Sequence, residues 1–345
     1  MVWCCKIPGI IYLKMMKLPT SEIKKIAIFR ALQLGDMLCS IPGIKALRHV
    51  YPNAHITLIG LPWAKSLTER FNDYFDDFIY FPGYPGLPEQ KFDPAAFTDF
   101  LLKVQKEKFD LAIQMQGDGS IINPMVELFG AKYVAGYSKE GHYAPNNGLF
   151  MPYPDYGHEI DRHILLMEFL GIESQGTDLE FPLTDNDLQN LNELNLPIQP
   201  QKYVCIHPGS RGAWRQWPAQ YFAALADYCV EQGLKVVLTG TKNEEAIVDE
   251  VIQHMRHEAI STAGKTSLGA VALLIKNSAM LISNCTGVSH IASAFKTPSI
   301  VISMDGEPQR WGPLDQRVHR TINWLQSPDF HSVFRETVEV VSMAV

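Results

Sequence analysis

Short apolar runs alternate with longer amphipathic segments along this chain, and the alternation occurs twice. A strand that feeds a helix and then another strand has essentially one compact solution, a parallel sheet covered by its crossover helices. In the first half, strands are expected at Lys25–Phe29, His55–Ile59, Asp77–Phe81, Phe109–Gln114 and Tyr133–Ala135. Helices are expected at Asp36–Val50, Pro94–Glu107, Asn123–Phe129 and His158–Leu170. In the second half, strands are expected at Tyr203–Ile206, Lys235–Thr239, Met280–Ile282 and Ser299–Ile302. The helices between and after them are Ala219–Gln232, Glu244–His254, Leu268–Lys276 and Val288–Phe295. Residues 137–156, rich in Gly, Pro, Asn and Tyr, read as a long loop.

The 345 residues exceed what one hydrophobic core usually organises. The expected organisation is a disordered tail at 1–24, a Rossmann-like α/β domain at 25–171, and a linker at 172–200 carrying one short helix. A second Rossmann-like domain follows at 201–329, and a final helix at 330–345 packs back on either domain. Two such halves would put a ligand cleft between them, at the carboxyl ends of the strands.

Three strand-to-helix turns carry the chemistry. The first, His207–Pro218, reads HPGSRGAWRQWP. Ser210 and the backbone near Gly209 offer donors, and Arg211 and Arg215 offer cations at a helix N-terminus, where an anion such as a diphosphate is stabilised. A turn with solvated arginines is the plainer reading. No G-x-G-x-x-G dinucleotide fingerprint is present, and the GKT at 264–266 lacks the glycine that a P-loop needs five residues earlier. The second turn, Arg30–Asp36, places Asp36 at a helix start, either as an N-cap or as a general base. A helix N-terminus lowers carboxylate basicity, so a base here would need desolvation to offset it. The third turn, Ser283–His290, offers Thr286 and Gly287 to an anion. His290 follows one turn into the helix, where a structural histidine is the commoner outcome. Beyond the last strand, Arg310 and Trp311 could pack on a ligand or on a domain interface.

Other features exclude more than they assign. A net charge of −7 argues against a general nucleic-acid binder and against broad electrostatic attachment to anionic lipid. The six cysteines form no C-x-x-C pair and suggest neither a disulfide framework nor a zinc site, which fits a reducing cytoplasm. Asp185-Asn186-Asp187 reads as a helix cap, and His254 and His257 as surface residues without a third metal ligand. No G-x-S-x-G elbow is present. The apolar stretch Ile7–Leu13 is too short to span a bilayer. It reads as a tail, or as sequence ahead of a true start at Met15 or Met16, with a weak interfacial anchor flanked by lysines as the alternative.

The ordered set of motifs resembles the ADP-heptose:lipopolysaccharide heptosyltransferases, a family of inverting glycosyltransferases (glycosyltransferase family 9). The matching pieces are R-x-x-x-L-G-D at 30–36, YPNAHITLIG at 51–60, FDLAIQMQG at 109–117, HPGSRGAWRQWP, LTG at 238–240, the run 263–292, and TPSIVISMDGEPQRWGP at 297–313. Together they cover roughly Ile26–Trp324. The resemblance implies a GT-B fold, with the acceptor on the first domain and the nucleotide-sugar donor on the second. It implies no cofactor and no metal. Asp36 matches the family's proposed catalytic aspartate, and Arg215 stands where the family typically has a lysine on the donor phosphates. Gly240 belongs to the LTG turn, and Glu244 or Glu245 matches a ribose-binding glutamate. Where the family commonly reads D-T-G-x-x-H, this chain has Cys285 in place of the carboxylate, and a thiol is a poor acceptor for sugar hydroxyls. The nucleotide cradle survives that change; the sugar preference is open.

The implied reaction moves heptose or a related sugar from a nucleoside diphosphate to a lipid-linked glycan, such as a lipopolysaccharide core. It implies a cytoplasmic protein in peripheral contact with the inner membrane. Two rivals remain: a non-catalytic nucleotide-sugar binder of the same family, and another nucleotide-sugar enzyme on the same fold, such as an epimerase. A nicotinamide oxidoreductase lacks its glycine fingerprint.

Overall fold

The structure, a computed structural model, describes residues 6–7, 10–11, 18–145 and 149–344. The expectations about an anchor or late start in the first seventeen residues fall mostly outside the described residues, which there give only a two-residue antiparallel pair, Lys6–Ile7 (β1) with Ile10–Ile11 (β2). Leu18 and Ile23 are buried, so ordered packing begins ahead of residue 25. The chain divides into two compact units, Met1–Asp178 and Leu179–Val345.

The first unit runs β3 (Lys25–Phe29), α1 (Leu34–Val50), β4 (His55–Gly60), α2 (Ala64–Arg70), β5 (Asp77–Tyr80), α3 (Pro94–Glu107), β6 (Leu111–Gln114), α4 (Ile122–Glu127), β7 (Tyr133–Ser138), β8 (Phe150–Pro152) and α5 (Glu159–Phe169). Its six strands lie in the order β5-β4-β3-β6-β7-β8, and every pair is parallel. Ile26–Phe29 and Leu111–Gln114 are buried throughout, as central strands covered on both faces must be. Helix α3 shows how sequence sets a boundary. The Asp93 carboxylate accepts from Ala95 N at 2.9 Å and Ala96 N at 3.2 Å, and Pro94 opens the helix where its missing N–H costs nothing.

The second unit runs α6 (Asp185–Glu193), β9 (Tyr203–His207), α7 (Ala219–Glu231), β10 (Lys235–Leu238), α8 (Glu245–His254), β11 (Ile260–Ser261), α9 (Leu268–Asn277), β12 (Met280–Asn284), α10 (Gly287–Phe295), β13 (Ser299–Ser303), α11 (Pro308–Trp311), β14 (His319–Asn323) and α12 (Phe330–Ala344). Its sheet repeats the topology as β11-β10-β9-β12-β13-β14, again all parallel. The order in which successive strands are added reverses between β3 and β6 in the first unit and between β9 and β12 in the second. Ligands of open α/β sheets bind outside the carboxyl ends at such switch points.

Several expectations need correction. The loop expected at 137–156 holds the end of β7 and the edge strand β8, which is too short to show periodicity and exists through its ladder with Gly136–Ser138. The edge strands β11 and β14, which carry no apolar run, and helix α2, which lacks a capping side chain, also went unread. The segment 172–200 is more than a linker. Leu179 and Phe181 are buried, Thr184 and Asp187 cap α6 reciprocally, and α6 packs so closely on α9 that a Cβ on Gly269 would strike the Asp187 carboxylate. The final helix α12 joins the core of the second unit through Val333, Val340 and Val341.

Candidate functional site

In the second unit, the turns after β9 and β12 meet at the switch point, and Asn284 joins them. Its side chain is 1% exposed. Its Nδ2 donates to Pro208 O at 2.7 Å and Gly209 O at 3.3 Å, while Trp217 N donates to its Oδ1 at 3.0 Å. One amide thereby fixes both ends of the HPGSRGAWRQWP turn. Trp217 is fully buried against Phe222, Trp324 and Phe330, whereas Trp214 is exposed beside the Arg215 guanidinium.

Glu244 approaches the same turn from the start of α8. Its carboxylate accepts from Thr241 N at 2.8 Å and Thr241 Oγ1 at 2.9 Å and lies 3.9 Å from His207 Nε2. A Cβ on Gly209 would displace that carboxylate, and Gly240 also packs on the Glu244 side chain. Glu245 points elsewhere, to Gly264. The structure therefore separates the two glutamates that sequence left equivalent.

Arg215, in a short 3₁₀ turn at Ala213–Arg215, pairs with Asp305 from the loop after β13. Burial pushes the Asp305 carboxyl up, but hydrogen bonds from Ser303 Oγ (2.7 Å) and Glu307 N (3.1 Å) and the Arg215 charge outweigh it, and the net shift is downward. Cys285 is buried beside this pair and donates its Sγ–H to Trp311 O at 3.6 Å. Burial, with the Asp305 charge, pushes its thiol up to about 12. Thr286 is the N-cap residue of α10 and makes no side-chain cap bond, so its hydroxyl does not take up the first N–H groups of α10. Ser210 is buried, and its carbonyl accepts from Gln216 Nε2 at 3.2 Å. Arg211 is exposed. His290 is 3% exposed and packs into the body of the unit. Arg310 lies over the Trp311 ring, 4.6 Å from its centroid.

In the first unit the switch point is built around Arg30, itself 1% exposed. Its Nε and Nη2 donate to Asp36 O at 3.0 and 2.8 Å, and its Nη1 donates to Met115 O in the turn after β6. Ala31 N donates to Gln116 Oε1 at 2.7 Å. These bonds clamp the first turn of α1. Gln33, rather than Asp36, is the N-cap residue, because Leu34 and Gly35 are already helical; Asp36 Oδ2 accepts from Gln33 N at 3.3 Å. Burial raises the Asp36 carboxyl above its ordinary range, the Arg30 charge opposes this, and Glu159 reinforces it. Desolvation therefore outweighs the helix N-terminus, the condition that a base at this position needs.

A family model described as glycosyltransferase family 9 (heptosyltransferase) matches residues 98–338. The chain belongs to this family. Lipooligosaccharide heptosyltransferase 2 of Haemophilus influenzae is 26% identical over 304 residues, covering 82% of this chain and 84% of the relative. Lipopolysaccharide heptosyltransferase 3 of Escherichia coli is 26% identical over 321 residues, covering 87% and 89%. Among solved structures, E. coli ADP-heptose LPS heptosyltransferase II matches with a TM-score of 0.72 at 19% identity, covering 93% of this chain and 99% of that one. A family 9 glycosyltransferase from Veillonella parvula matches with a TM-score of 0.73 at 21% identity, covering 91% and 89%. The fold class is GT-B, two successive Rossmann-like units.

Within this family 9 member, the second switch point brings together Ser210, Arg215, Gly240, Glu244, Cys285, Thr286, Gly287 and Trp311. It leaves Arg211 and Glu245 at the periphery. Sequence reasoning gave no role to Asn284, Asp305, Arg30 or Gln116, which stood inside motifs, nor to Glu159, which stood in none; only tertiary pairing gives each its partner. Among the described residues, no group of three His, Cys, Asp or Glu could hold a metal ion. No helix among them is long and apolar enough to cross a membrane.

Proposed function

We propose that this protein is an inverting, metal-independent heptosyltransferase-type enzyme. It would take a nucleoside-diphosphate sugar, ADP-heptose or a close relative, and transfer the sugar to a lipopolysaccharide-core hydroxyl at the cytoplasmic face of the inner membrane. The observation that carries this reading is the stitched turn of the second unit. There Asn284 fixes the loop bearing Ser210 and Arg215 against the helix start at Thr286-Gly287. That arrangement suits a diphosphate leaving group, whose growing charge Arg215 and the backbone N–H groups would stabilise. Glu244, close to that turn, suits the ribose hydroxyls. Family membership and the names of the relatives support heptose as the sugar.

In the chemical step, the Asp36 carboxylate removes the proton of the acceptor hydroxyl. That oxygen bonds to the anomeric carbon while the bond to the diphosphate oxygen breaks, with inversion, and the nucleoside diphosphate leaves with the electron pair. The raised basicity of Asp36 supports its role as base. The test is Asp36→Asn. Transfer, followed as ADP release with a lipopolysaccharide-core acceptor, should fall by about 10³-fold, since general base catalysis supplies 10²–10⁴. ADP affinity should be unchanged, and activity should survive EDTA. Full activity in the variant would remove Asp36 from the mechanism.

A further inference from the structure

Behind the first turn of α1 lies a buried polar cluster built on Arg30 and Glu159. Arg30 Nη2 is 3.3 Å from Glu159 Oε1, and both side chains are almost fully buried. Glu159, in the first turn of α5, also faces Arg162 Nη1 at 3.6 Å and His163 Nε2 at 3.5 Å. From β7, Tyr137 OH meets His163 Nδ1 at 3.1 Å, and Arg162 Nη1 donates to Tyr153 OH at 2.8 Å. Burial, then the Arg30 charge, lowers His163 to about 4, so its imidazole is neutral at working pH. The charges facing one another are therefore two cations, Arg30 and Arg162, and two carboxylates, Glu159 and Asp36. The cluster is neutral while Asp36 is ionised and carries one positive charge once Asp36 has taken a proton.

Resting on the reading of Asp36 as the base, we propose that Glu159 is a positioning residue that keeps Asp36 basic by neutralising the buried Arg30 guanidinium. Arg30 is needed because its two bonds to Asp36 O hold the turn that aims the carboxylate. A buried cation so close to a carboxylate holds it ionised and weakens it as a proton acceptor. Without Glu159, proton transfer to Asp36 would leave two uncompensated buried cations. With it, the geometry Arg30 imposes is kept while most of its electrostatic pull is cancelled.

The test uses two substitutions of opposite sign in the full-length protein. Glu159→Gln keeps the size and removes the charge. The carboxyl titration of Asp36, followed by ¹³C NMR in aspartate-labelled protein and assigned with Asp36→Asn, should move down by about one pH unit. Arg162→Met removes a cation that competes for Glu159 and should move the same midpoint up. The acid limb of the kcat/KM profile should follow each shift, a readout that simple destabilisation would not move in opposite directions. An Asp36 midpoint unmoved in a folded Glu159→Gln protein, or moving the same way in both variants, overturns the proposal. Should Glu159→Gln fail to fold, an unmoved midpoint in Arg162→Met does so alone. If the NMR midpoints shift as stated while the acid limb stays fixed, Glu159 still tunes Asp36, and it is the assignment of Asp36 as base that fails.

Discussion

Asn284→Ala is the substitution that most directly tests how the second unit builds its site. The amide is buried and makes three hydrogen bonds, to Pro208 O, to Gly209 O and from Trp217 N. A neutral hydrogen bond contributes about 1 kcal/mol net, and an orphaned buried donor costs about 1–3 kcal/mol, so the expected loss is about 3 kcal/mol. For a unit of this size each kcal/mol lowers Tm by about 2–4 °C, so its transition should fall by about 6–12 °C. The same bonds set the path of the chain through Gly209 and Ser210, so ADP affinity measured well below that transition should fall about tenfold or more. The assays are differential scanning calorimetry and isothermal titration with ADP. A folded variant that binds ADP as the parent does would refute the claim that this amide shapes the turn, whatever happens to Tm.

Three further outcomes follow from individual contacts. Glu244→Gln should weaken ADP binding by about tenfold, the scale of one charge-assisted hydrogen bond, while Glu245→Gln, pointing at Gly264, should leave it within about twofold; equal effects would undo the distinction. Gly209→Ala should also weaken ADP binding, because its Cβ displaces the Glu244 side chain, and combining it with Glu244→Ala should relieve the added loss. His163, held neutral with a folded pKa of about 4, binds fewer protons folded than unfolded. Its contribution is therefore complete above the ordinary histidine range and lost as pH falls from about 6.5 toward 4. Urea unfolding of the first unit should show about 2 kcal/mol lost to this cause by pH 5, and His163→Gln should flatten that slope.

The sequence made the repeated β-α alternation legible because central strands such as Ile26–Phe29 and Tyr203–His207 are apolar on both faces, and because α3 carries its own cap. The edge elements were not legible. β8, β11 and β14 are defined by a neighbour's ladder, and α2 lacks a capping side chain. The site divided in the same way. Gly, Ser and Arg at a strand-to-helix turn suggest an anion site locally, so Ser210, Arg215, Thr286 and Gly287 could be named as candidates. Asn284 could not, because its role depends on two carbonyls more than seventy residues away. Glu159 lies 129 residues from Arg30, and nothing in the His158–Leu170 helix marks one of its acidic residues as the partner of a buried arginine.

Asp36 and Asp305 have the same side chain with opposite shifts, and the contrast sets what each can do. Burial raises both. At Asp36 the Arg30 charge and the Gln33 N–H oppose it without overcoming it, and Glu159 reinforces it. At Asp305, Ser303 Oγ, Glu307 N and Arg215 together overcome it. Asp36 is thus suited to take a proton, whereas Asp305 stays ionised over the whole working pH range and occupies the guanidinium that we propose binds the diphosphate. An arriving diphosphate must share Arg215 with a carboxylate, and like charges a few ångströms apart at a half-exposed site cost about 1–2 kcal/mol. Asp305→Asn removes that repulsion while keeping a hydrogen-bonding side chain. ADP should then bind about tenfold more tightly, with the gain shrinking as salt is raised. A weaker ADP complex in this variant would mean that Asp305 serves chiefly to aim Arg215, and the competition argument would be wrong.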